Sequence, residues 1–446
     1  MVAKAGKETK AETMAKAADR LQAPIREDIP VKGSDSAGRL KNSRLPSPAK
    51  AVGLARPAFR KVLRCGLGTA VLFAAMLLGG CWDRTEVNDI AIVLGAGVDK
   101  FENGFRVSVL IPLPGNMGGA TGGSGGSGGN RPYTVDTETG RTIREAFVKL
   151  QERNSRRLFS GHRKLFIIGE AAAKDGLTDL MDITARVPEN RLTSYIVIAK
   201  GQAEDVLNAA PKLERFPAEA LREMLKADAG IQVKDVATAL SGEGQDAVLP
   251  YVEVVPAKMK DKPGTELRTG LFVFTKQSKM IGTTKPGEAN GVRWLKGIIQ
   301  PYLETIRTEA GLVSVTVRRG QCEIKPRVEE GRLRFVITAK GEATITEAQD
   351  EGDYENKGNT EKLERLLERR IRSDITAVGE LIKEHSSDIA GFGAILSRTY
   401  PSRWKSEWRN DWPSLLTQLD LDVQVEMNVN RTGMFSKNIG SKDRRP

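Results

Sequence analysis

The sequence predicts a multi-domain protein of α+β or mixed α/β class, with a C-terminal antiparallel sheet covered by a long helix. Two observations carry this prediction. As far as residue 267, short apolar runs typical of buried strands alternate with segments that show the 3.6-residue period of helices. Beyond that point, strands with a two-residue period flank one long amphipathic segment. We expect three successive domains, at residues 81–200, 201–267 and 268–436, and a tail at 437–446.

The first 80 residues predict a leader and an export signal. Residues 1–59 are rich in Ala, Lys and acidic residues and poor in aromatic residues, which is typical of disorder. We expect translation to start at a non-Met codon near Val52 or Val62, so that this leader is not part of the protein. Residues 60–80 are predicted to be a signal peptide, because basic residues precede the apolar run Leu67–Leu78. That run is too short to span a bilayer comfortably.

The signal ends in Leu78-Gly79-Gly80-Cys81, the pattern of a lipoprotein processing site. Small residues at the two positions before the cysteine let a peptidase approach the backbone between Gly80 and Cys81, and the Cys81 thiol is the nucleophile that takes up a diacylglycerol. Together with an amide-linked acyl chain such as palmitate, this lipid supplies the two chains that stable membrane attachment needs. The alternative is a buried cysteine at the end of an apolar helix, which explains less of the pattern. We therefore predict a soluble body tethered to a membrane at Cys81.

Most of the net charge of +12 belongs to the predicted leader and signal. Residues 1–80 contain 15 Lys and Arg against 6 Asp and Glu, so they carry +9 and leave +3 for residues 81–446. A balance this close to neutral argues against nucleic acid as a partner. Residues 81–446, the predicted mature part, contain only Cys81 and Cys322, which predicts that no disulfide framework stabilises the fold.

The mature part is predicted to begin with an antiparallel hairpin. The apolar runs Ile90–Leu94 and Phe105–Ile111 flank Glu102-Asn103-Gly104, and Asn-Gly is a strong hairpin signal. Gly95-Ala96-Gly97 could begin a dinucleotide-binding fingerprint. However, Lys100 stands where the third glycine belongs, and a strand pattern follows instead of a helix.

Residues 115–130 are almost all small and predict a flexible insertion. Helices and strands are then predicted to alternate, as a helix from Thr142, a strand at Lys164–Ile168, a helix at Leu177–Ile183 and a strand at Tyr195–Ile198. The middle domain is predicted to hold helices at Gln202–Asn208, Pro217–Lys226 and Val233–Leu240 and a strand at Val252–Val255. Lys258–Gly264 is polar, with Pro and Gly, and predicts a linker.

The C-terminal part shows the clearest periodicity. Strands are predicted at Leu271–Phe274, Lys279–Gly282, Val313–Val317, Leu333–Ala339 and Leu421–Val429. A long helix is predicted because apolar residues recur at helical spacing from Leu363 to Ile382. The alternation in the last strand predicts a sheet with one face in water and the other under this helix.

Residues suited to catalysis or metal binding are scarce. The chain has two histidines, His162 and His385, and neither lies near a cysteine or an acidic cluster with ligand spacing. We interpret His162 as ordering a turn and His385 as ending the long helix. Adjacent carboxylates at residues 350–355 are interpreted as solvated charges. We predict no catalytic residue, no metal and no cofactor, while a wall hydrolase with two carboxylates across a cleft stays an alternative.

Three of the five tryptophans, Trp404, Trp408 and Trp412, are spaced by four residues. A helix would place them on one stripe. The favoured interpretation is packing between helix and sheet, and the alternative is an aromatic surface that meets a membrane interface or an integral partner.

Several blocks of this sequence resemble, in the same order, those of a known family. They are Cys81–Arg84, Asn88–Ile92, Gly97–Asp99, Gly140–Ala146, Gly161-His162, Ile168–Glu170, Trp294–Gly297, Ser387–Gly393, Tyr400-Pro401, Trp404, Asp411-Trp412 and Asn430–Met434. The family is that of the C-subunit lipoproteins of spore nutrient-germinant receptors, the Ger(x)C family. The resemblance covers nearly all of residues 81–436.

This resemblance implies a lipid-anchored, non-catalytic subunit on the outer face of the inner membrane of a dormant bacterial spore. It also implies three successive α/β domains and two membrane-embedded partners, the A and B subunits that sense nutrients. The alternative function is that of a solute-binding lipoprotein, which would deliver a small ligand to a membrane transporter. That alternative requires two similar lobes, whereas the long helix predicts an unlike C-terminal domain.

Overall fold

The computed structural model describes residues 86–116, 131–258, 264–349, 352–354 and 356–430. All of them lie in one compact unit that begins at Asp83. Outside the described residues lie the predicted leader, the signal peptide with Gly80 and Cys81, nearly all of the insertion at 115–130, most of the linker at 258–264 and the tail at 437–446.

The first sheet has eight strands. These are β2 (Gly95–Phe101), β3 (Gly104–Pro112), β4 (Tyr133–Gly140), β6 (Leu165–Gly169), β7 (Tyr195–Ala199), β8 (Val248–Pro256), β9 (Thr265–Lys276) and β10 (Lys279–Thr283). Their order across the sheet is β10-β9-β8-β7-β6-β2-β3-β4. The central strands β2, β6, β7 and β8 are parallel, and an antiparallel pair extends each side. Because helices cover both faces of the centre, β6 is buried along its whole length, as the unbroken apolar run predicts.

Six helices pack on this sheet or follow its strands. They are α1 (Ile143–Arg153), α2 (Glu170–Asp175), α3 (Thr178–Arg186), α4 (Ala203–Asn208), α5 (Pro217–Asp228) and α6 (Val233–Ser241). Alternate residues of β6 enter two separate cores. Phe166 and Ile168 pack with α1 and α3, while Leu165 and Ile167 pack with α4 and α5. The helices and strands predicted between Thr142 and Val255 are confirmed.

The hairpin predicted at the start of the mature part is wrong in one strand. The short strand β1 (Ile90–Ile92) pairs in parallel with β5 (Arg157–Phe159), and β2 is the strand that pairs with β3. Gly95, the first residue of β2, packs closely against α5. A Cβ at Gly95 would lie 3.1 Å from the Ala218 side chain on α5, so a larger residue would push that helix away.

The second sheet has four strands, β11 (Tyr302–Arg307), β12 (Leu312–Glu329), β13 (Arg332–Ala348) and β14 (Asp420–Asn430), in that order. Two more helices cover it, α7 (Pro286–Lys296) and the long helix α8 (Lys357–His385). The apolar stripe from Leu363 to Ile382 is buried. The fold class is therefore confirmed as mixed α and β, with a helix-covered C-terminal sheet.

The C-terminal sheet is not wholly antiparallel, because β14 runs parallel to β13. The long helix lies between these strands in the chain and carries it back along the sheet, so the next strand starts at the same end as β13. Between α8 and β14 lie helix α9 (Phe392–Thr399), the short helix α10 (Pro401–Arg403), a π-helical turn at Trp404–Trp408 and helix α11 (Trp412–Leu416).

The first sheet runs across the boundary predicted near residue 267. Strand β9 passes through that position and pairs with β8 on one side and β10 on the other. Backbone hydrogen bonds thus join the last strand of segment 201–267 to the first strand of segment 268–436. The division of residues 81–436 into three domains stays a prediction. No helix in the described part of the chain is both long and apolar enough to cross a bilayer.

Candidate functional site

The segment after the long helix meets the end of the first sheet at a buried carboxylate, Asp388. We call this region the Asp388 junction, defined by Asp388, Asp246, Gly244, Gly391–Gly393 and Trp412. The side chain of Asp388 is only 1 % exposed. Oδ1 accepts hydrogen bonds from the N–H groups of Gly391 (2.7 Å) and Phe392 (2.9 Å). Oδ2 accepts from the Gly393 N–H (2.8 Å) and from Nε1 of Trp412 (3.2 Å).

These four bonds satisfy the first N–H groups of α9 and anchor an indole. Free N–H groups at a helix start need such acceptors, and a carboxylate there also interacts favourably with the helix dipole. Burial raises the pKa of Asp388 to about 6. The group is therefore still ionised at neutral pH and keeps all four bonds.

A second carboxylate, Asp246, ties this cap to the first sheet. Its Oδ2 accepts a hydrogen bond from the Asp388 N–H at 2.9 Å, and its own N–H donates to the Asp388 carbonyl at 2.9 Å. Oδ1 of Asp246 accepts from the N–H of Gln277, in the turn between β9 and β10. The junction thus joins the start of β8, the β9–β10 turn and the start of α9.

The backbone segments that contain Gly244 and Gly393 approach each other so closely that only glycine fits at these positions. A Cβ at Gly393 would lie 2.7 Å from the backbone of Gly244, and Gly244 has a left-handed φ of +68°. The Ala394 N–H donates to the Gly244 carbonyl at 2.9 Å. The junction is therefore a direct backbone contact between the first sheet and the C-terminal helices.

The three tryptophans are buried, with Trp412 in the Asp388 junction and Trp404 packed against Trp412. Trp404, Trp408 and Trp412 are 2 %, 8 % and 6 % exposed. Nε1 of Trp404 donates to Glu243 at 3.1 Å, and the Trp404 and Trp412 rings meet edge to face at 5.5 Å. The π-helical turn and the break before α11 replace the continuous helix that the spacing suggested. The structure thus places these residues in packing positions.

Other side chains considered for chemistry also have structural surroundings. The His162 ring packs against Phe159 at 5.7 Å, and the His385 ring packs against Phe274 at 5.0 Å. Burial raises the pKa of Cys322 to about 11, which keeps this thiol protonated. Within the described ranges, no group of His, Cys, Asp and Glu side chains is placed to hold a metal. At the Asp388 junction every carboxylate oxygen of Asp388 already has two donors.

A second buried acidic cluster lies between α7, β11 and α8. Glu304 and Asp374 are 8 % and 3 % exposed, and Arg370 lies 3.5 Å from Glu304 and 3.6 Å from Asp374. Asn290 donates to Glu304 at 2.8 Å, whereas Oδ2 of Asp374 has no hydrogen-bond partner among the described residues. Burial raises the pKa of Asp374 to about 7, and the Arg370 charge opposes that rise.

Replacing Asp374 by asparagine is expected to remove a pH dependence of stability. In the unfolded chain an aspartate titrates near pH 4. Since the folded pKa is raised, the stabilising contribution of the proton is complete below pH 4 and is lost as the pH rises to about 7. Asp374→Asn should raise the free energy of unfolding at pH 8 by at most about 4 kcal/mol.

Urea unfolding between pH 4 and pH 8 measures this effect. The control is Glu152→Gln, which replaces an exposed carboxylate on α1 and should leave the profile unchanged. If Asp374→Asn retains the slope of the wild type, Asp374 is not the group that titrates.

The sequence offered a signal for Asp388 and for the start of α9, but none for Asp246, Gly244 or Asp374. Ser387–Gly393 belongs to the blocks that carry the family resemblance, and Asp followed by two close glycines is consistent with a helix cap. Asp246 and Gly244 lie more than 140 residues earlier in the chain, and Asp374 sits on a helix that is otherwise charged outside its apolar stripe. Only the fold brings these residues together.

Two protein-family models of spore germination proteins match this chain. The spore germination protein N-terminal domain matches residues 83–254, and the C-terminal domain described as spore germination B3/GerAC like matches residues 269–433.

Curated relatives and a solved structure agree with these matches. The protein YfkR of Bacillus subtilis (strain 168) is 32% identical over 378 residues, which is 82% of this chain and 97% of YfkR. Spore germination protein KC of the same organism is 28% identical over 400 residues, 84% of this chain and 97% of that protein. The crystal structure of the GerBC protein has a TM-score of 0.50 at 17% identity, with 75% of this chain and 96% of GerBC covered, and this likeness concerns the fold.

Proposed function

Because the chain belongs to the GerAC-like family of spore germination proteins, we propose that it is a non-catalytic, lipid-anchored subunit of a spore nutrient-germinant receptor. The carrying observation is the extent of the family match, which reaches from residue 83 to residue 433. It begins two residues after the predicted lipid-bearing Cys81, so the matched part corresponds to the predicted mature protein.

The lipid anchor would hold the folded body close to the membrane. Strand β1 begins at Ile90, nine residues after Cys81. Nine residues span at most about 30 Å even when fully extended. Such a short tether favours contact with integral-membrane proteins in the same bilayer over contact with distant partners.

The Asp388 junction supports a role in assembly. Its carboxylates bind backbone N–H groups and an indole, and the tight Gly244–Gly393 contact leaves little freedom between the first sheet and the C-terminal helices. A rigid body of this kind can present fixed surfaces to the A and B subunits on the outer face of the inner spore membrane. The nearly neutral mature chain supports no role for nucleic acid.

A solute-binding lipoprotein is the alternative function, and the architecture disfavours it. Such a protein binds its solute between two similar lobes. Here the two large sheets differ, because the first has eight strands and the second has four, in unlike orders. The enzyme alternative has no support in Asp388, whose oxygens are fully engaged.

Affinity purification from spore membranes tests the proposal. We expect the tagged protein, solubilised in mild detergent, to bring down two integral-membrane proteins in comparable amounts, identified by mass spectrometry. An equally tagged, unrelated spore lipoprotein serves as the control and should recover neither. Recovery of a transporter instead, or of no membrane protein, would contradict the receptor role.

A further inference from the structure

A cavity lies between helices α1 and α3 on one face of the first sheet. Its volume is about 70 Å³. Valines of the sheet and Phe166 form its floor, and Phe147 of α1 and Ile183 of α3 form its sides. Ile183 and Phe147 are only half-buried, and Arg144 at the rim is exposed, so the cavity reaches the surface between the two helices.

One charged side chain, Arg163, is buried in this apolar wall. It is 7 % exposed, and its Nε and Nη2 atoms have no hydrogen-bond partner among the described residues. The guanidinium stacks on the Phe166 ring at 4.8 Å. Its main chain is held in place, since the Arg163 carbonyl accepts a hydrogen bond from the Ser194 hydroxyl at 2.7 Å.

No carboxylate of the described residues forms an ion pair with Arg163. Burial lowers the pKa of Arg163 to about 10, so the group stays protonated at neutral pH. The carboxylate at the rim, Glu189, pairs with Arg157 instead. A buried cation without a partner is strongly unfavourable, and an anion that entered the cavity would remove this cost.

The free atoms of Arg163 have a specific geometry. Nε and Nη2 are the two nitrogens on one side of the guanidinium, and their N–H groups form the parallel fork that binds both oxygens of a carboxylate. Most of the remaining wall is hydrocarbon, and the polar side chains of Ser160, Thr184 and Asn190 also line the cavity. The size of the cavity corresponds to roughly five water-sized spheres, which suits a ligand of few heavy atoms.

We propose that this cavity is a binding site for a small organic monocarboxylate, with its carboxylate on Nε and Nη2 of Arg163 and its hydrocarbon part against Val98, Phe147 and Ile183. The site lies within one half of the molecule and does not depend on the proposed receptor role.

Calorimetric titration of the mature lipidated protein in detergent tests the site, with butyrate as the probe. Butyrate should bind and raise the unfolding temperature, while the uncharged isostere butyramide and chloride should do neither. Arg163→Met removes the fork but keeps an unbranched side chain that reaches the position of Nε, and should weaken butyrate binding by roughly ten- to a hundredfold. Arg268→Met, at an exposed arginine paired with Glu253, is the matched control and should bind butyrate as the wild type does.

The stability of Arg163→Met separates binding from a structural role. Without butyrate, this variant should unfold at the same temperature as the wild type or higher, because the unpaired buried charge is gone. Saturation-transfer NMR of butyrate protons provides a readout on the wild type alone, and should show the methyl group in contact with protein. Butyrate binding that is equal in Arg163→Met and the wild type would overturn the proposal. So would a wild type that gives no heat and no saturation transfer with butyrate, since water alone would then fill the cavity.

Discussion

Replacing Asp388 by alanine is expected to lower the free energy of unfolding by about 4 kcal/mol or more. The change would leave four buried donors without an acceptor, namely the N–H groups of Gly391, Phe392 and Gly393 and the Trp412 indole. Each unpaired buried donor costs about 1–3 kcal/mol. The loss is a large fraction of the 5–15 kcal/mol typical of a folded domain. Urea unfolding, followed by tryptophan fluorescence, measures it.

Two further variants make this prediction sharp. Asp411→Ala removes an exposed carboxylate beside Trp412 and should change stability by no more than about 0.5 kcal/mol. Asp388→Asn keeps one acceptor oxygen, but its amide NH₂ group would face two of the four donors. The free energy of unfolding of Asp388→Asn should therefore lie between those of the wild type and Asp388→Ala. If Asp388→Ala is as stable as Asp411→Ala, the Asp388 junction does not hold the C-terminal helices to the first sheet.

Replacing Cys81 by alanine is expected to abolish stable membrane attachment. Without the thiol no diacylglycerol can be added, and each buried CH₂ of the lost chains contributes about 0.8 kcal/mol to membrane binding. The described fold should be unaffected, because it begins at residue 86. The wild type should show an intact mass that starts at Cys81 and includes the lipid, and should partition into detergent. Under the proposed receptor role, nutrient-triggered spore germination should weaken in the variant.

The control for this change is Cys65→Ala, at the one cysteine of the first 80 residues. It should be lipidated, processed and retained in the membrane as the wild type is. A Cys81→Ala protein that stays in the membrane after residues 1–80 have been removed would refute attachment through Cys81. An intact mass without added lipid on wild-type Cys81 would do the same.

Local periodicity predicted most of the secondary structure of this protein. The unbroken apolar runs of β6 and β7, the stripe of α8 and the alternation of β14 each follow from a side chain's need to face a core. Each of these signals depends on residues that lie within a few positions of one another in the chain. An error arose at the first hairpin, where the apolar run that contains β1 was predicted to pair with β3, whereas β2 is the strand that does so.

Pairing between distant segments could not be predicted in the same way. The two-residue period of a strand defines which side chains share a face, but it does not define the neighbouring strand or its direction. For that reason the parallel pairing of β14 with β13, and the passage of β9 through the predicted boundary, became visible only in the structure.

The sequence by itself determined the elements, the family and the predicted lipid site at Cys81, because each depends on residues close together in the chain or on their order. The tertiary structure decided which charged groups are buried and whether they have partners. Among the described residues, Asp388 has four donors, one oxygen of Asp374 has no donor, and Arg163 lines a cavity with two nitrogens that have no acceptor. Burial and pairing depend on every segment that packs around a side chain, and those segments come together only in the folded chain.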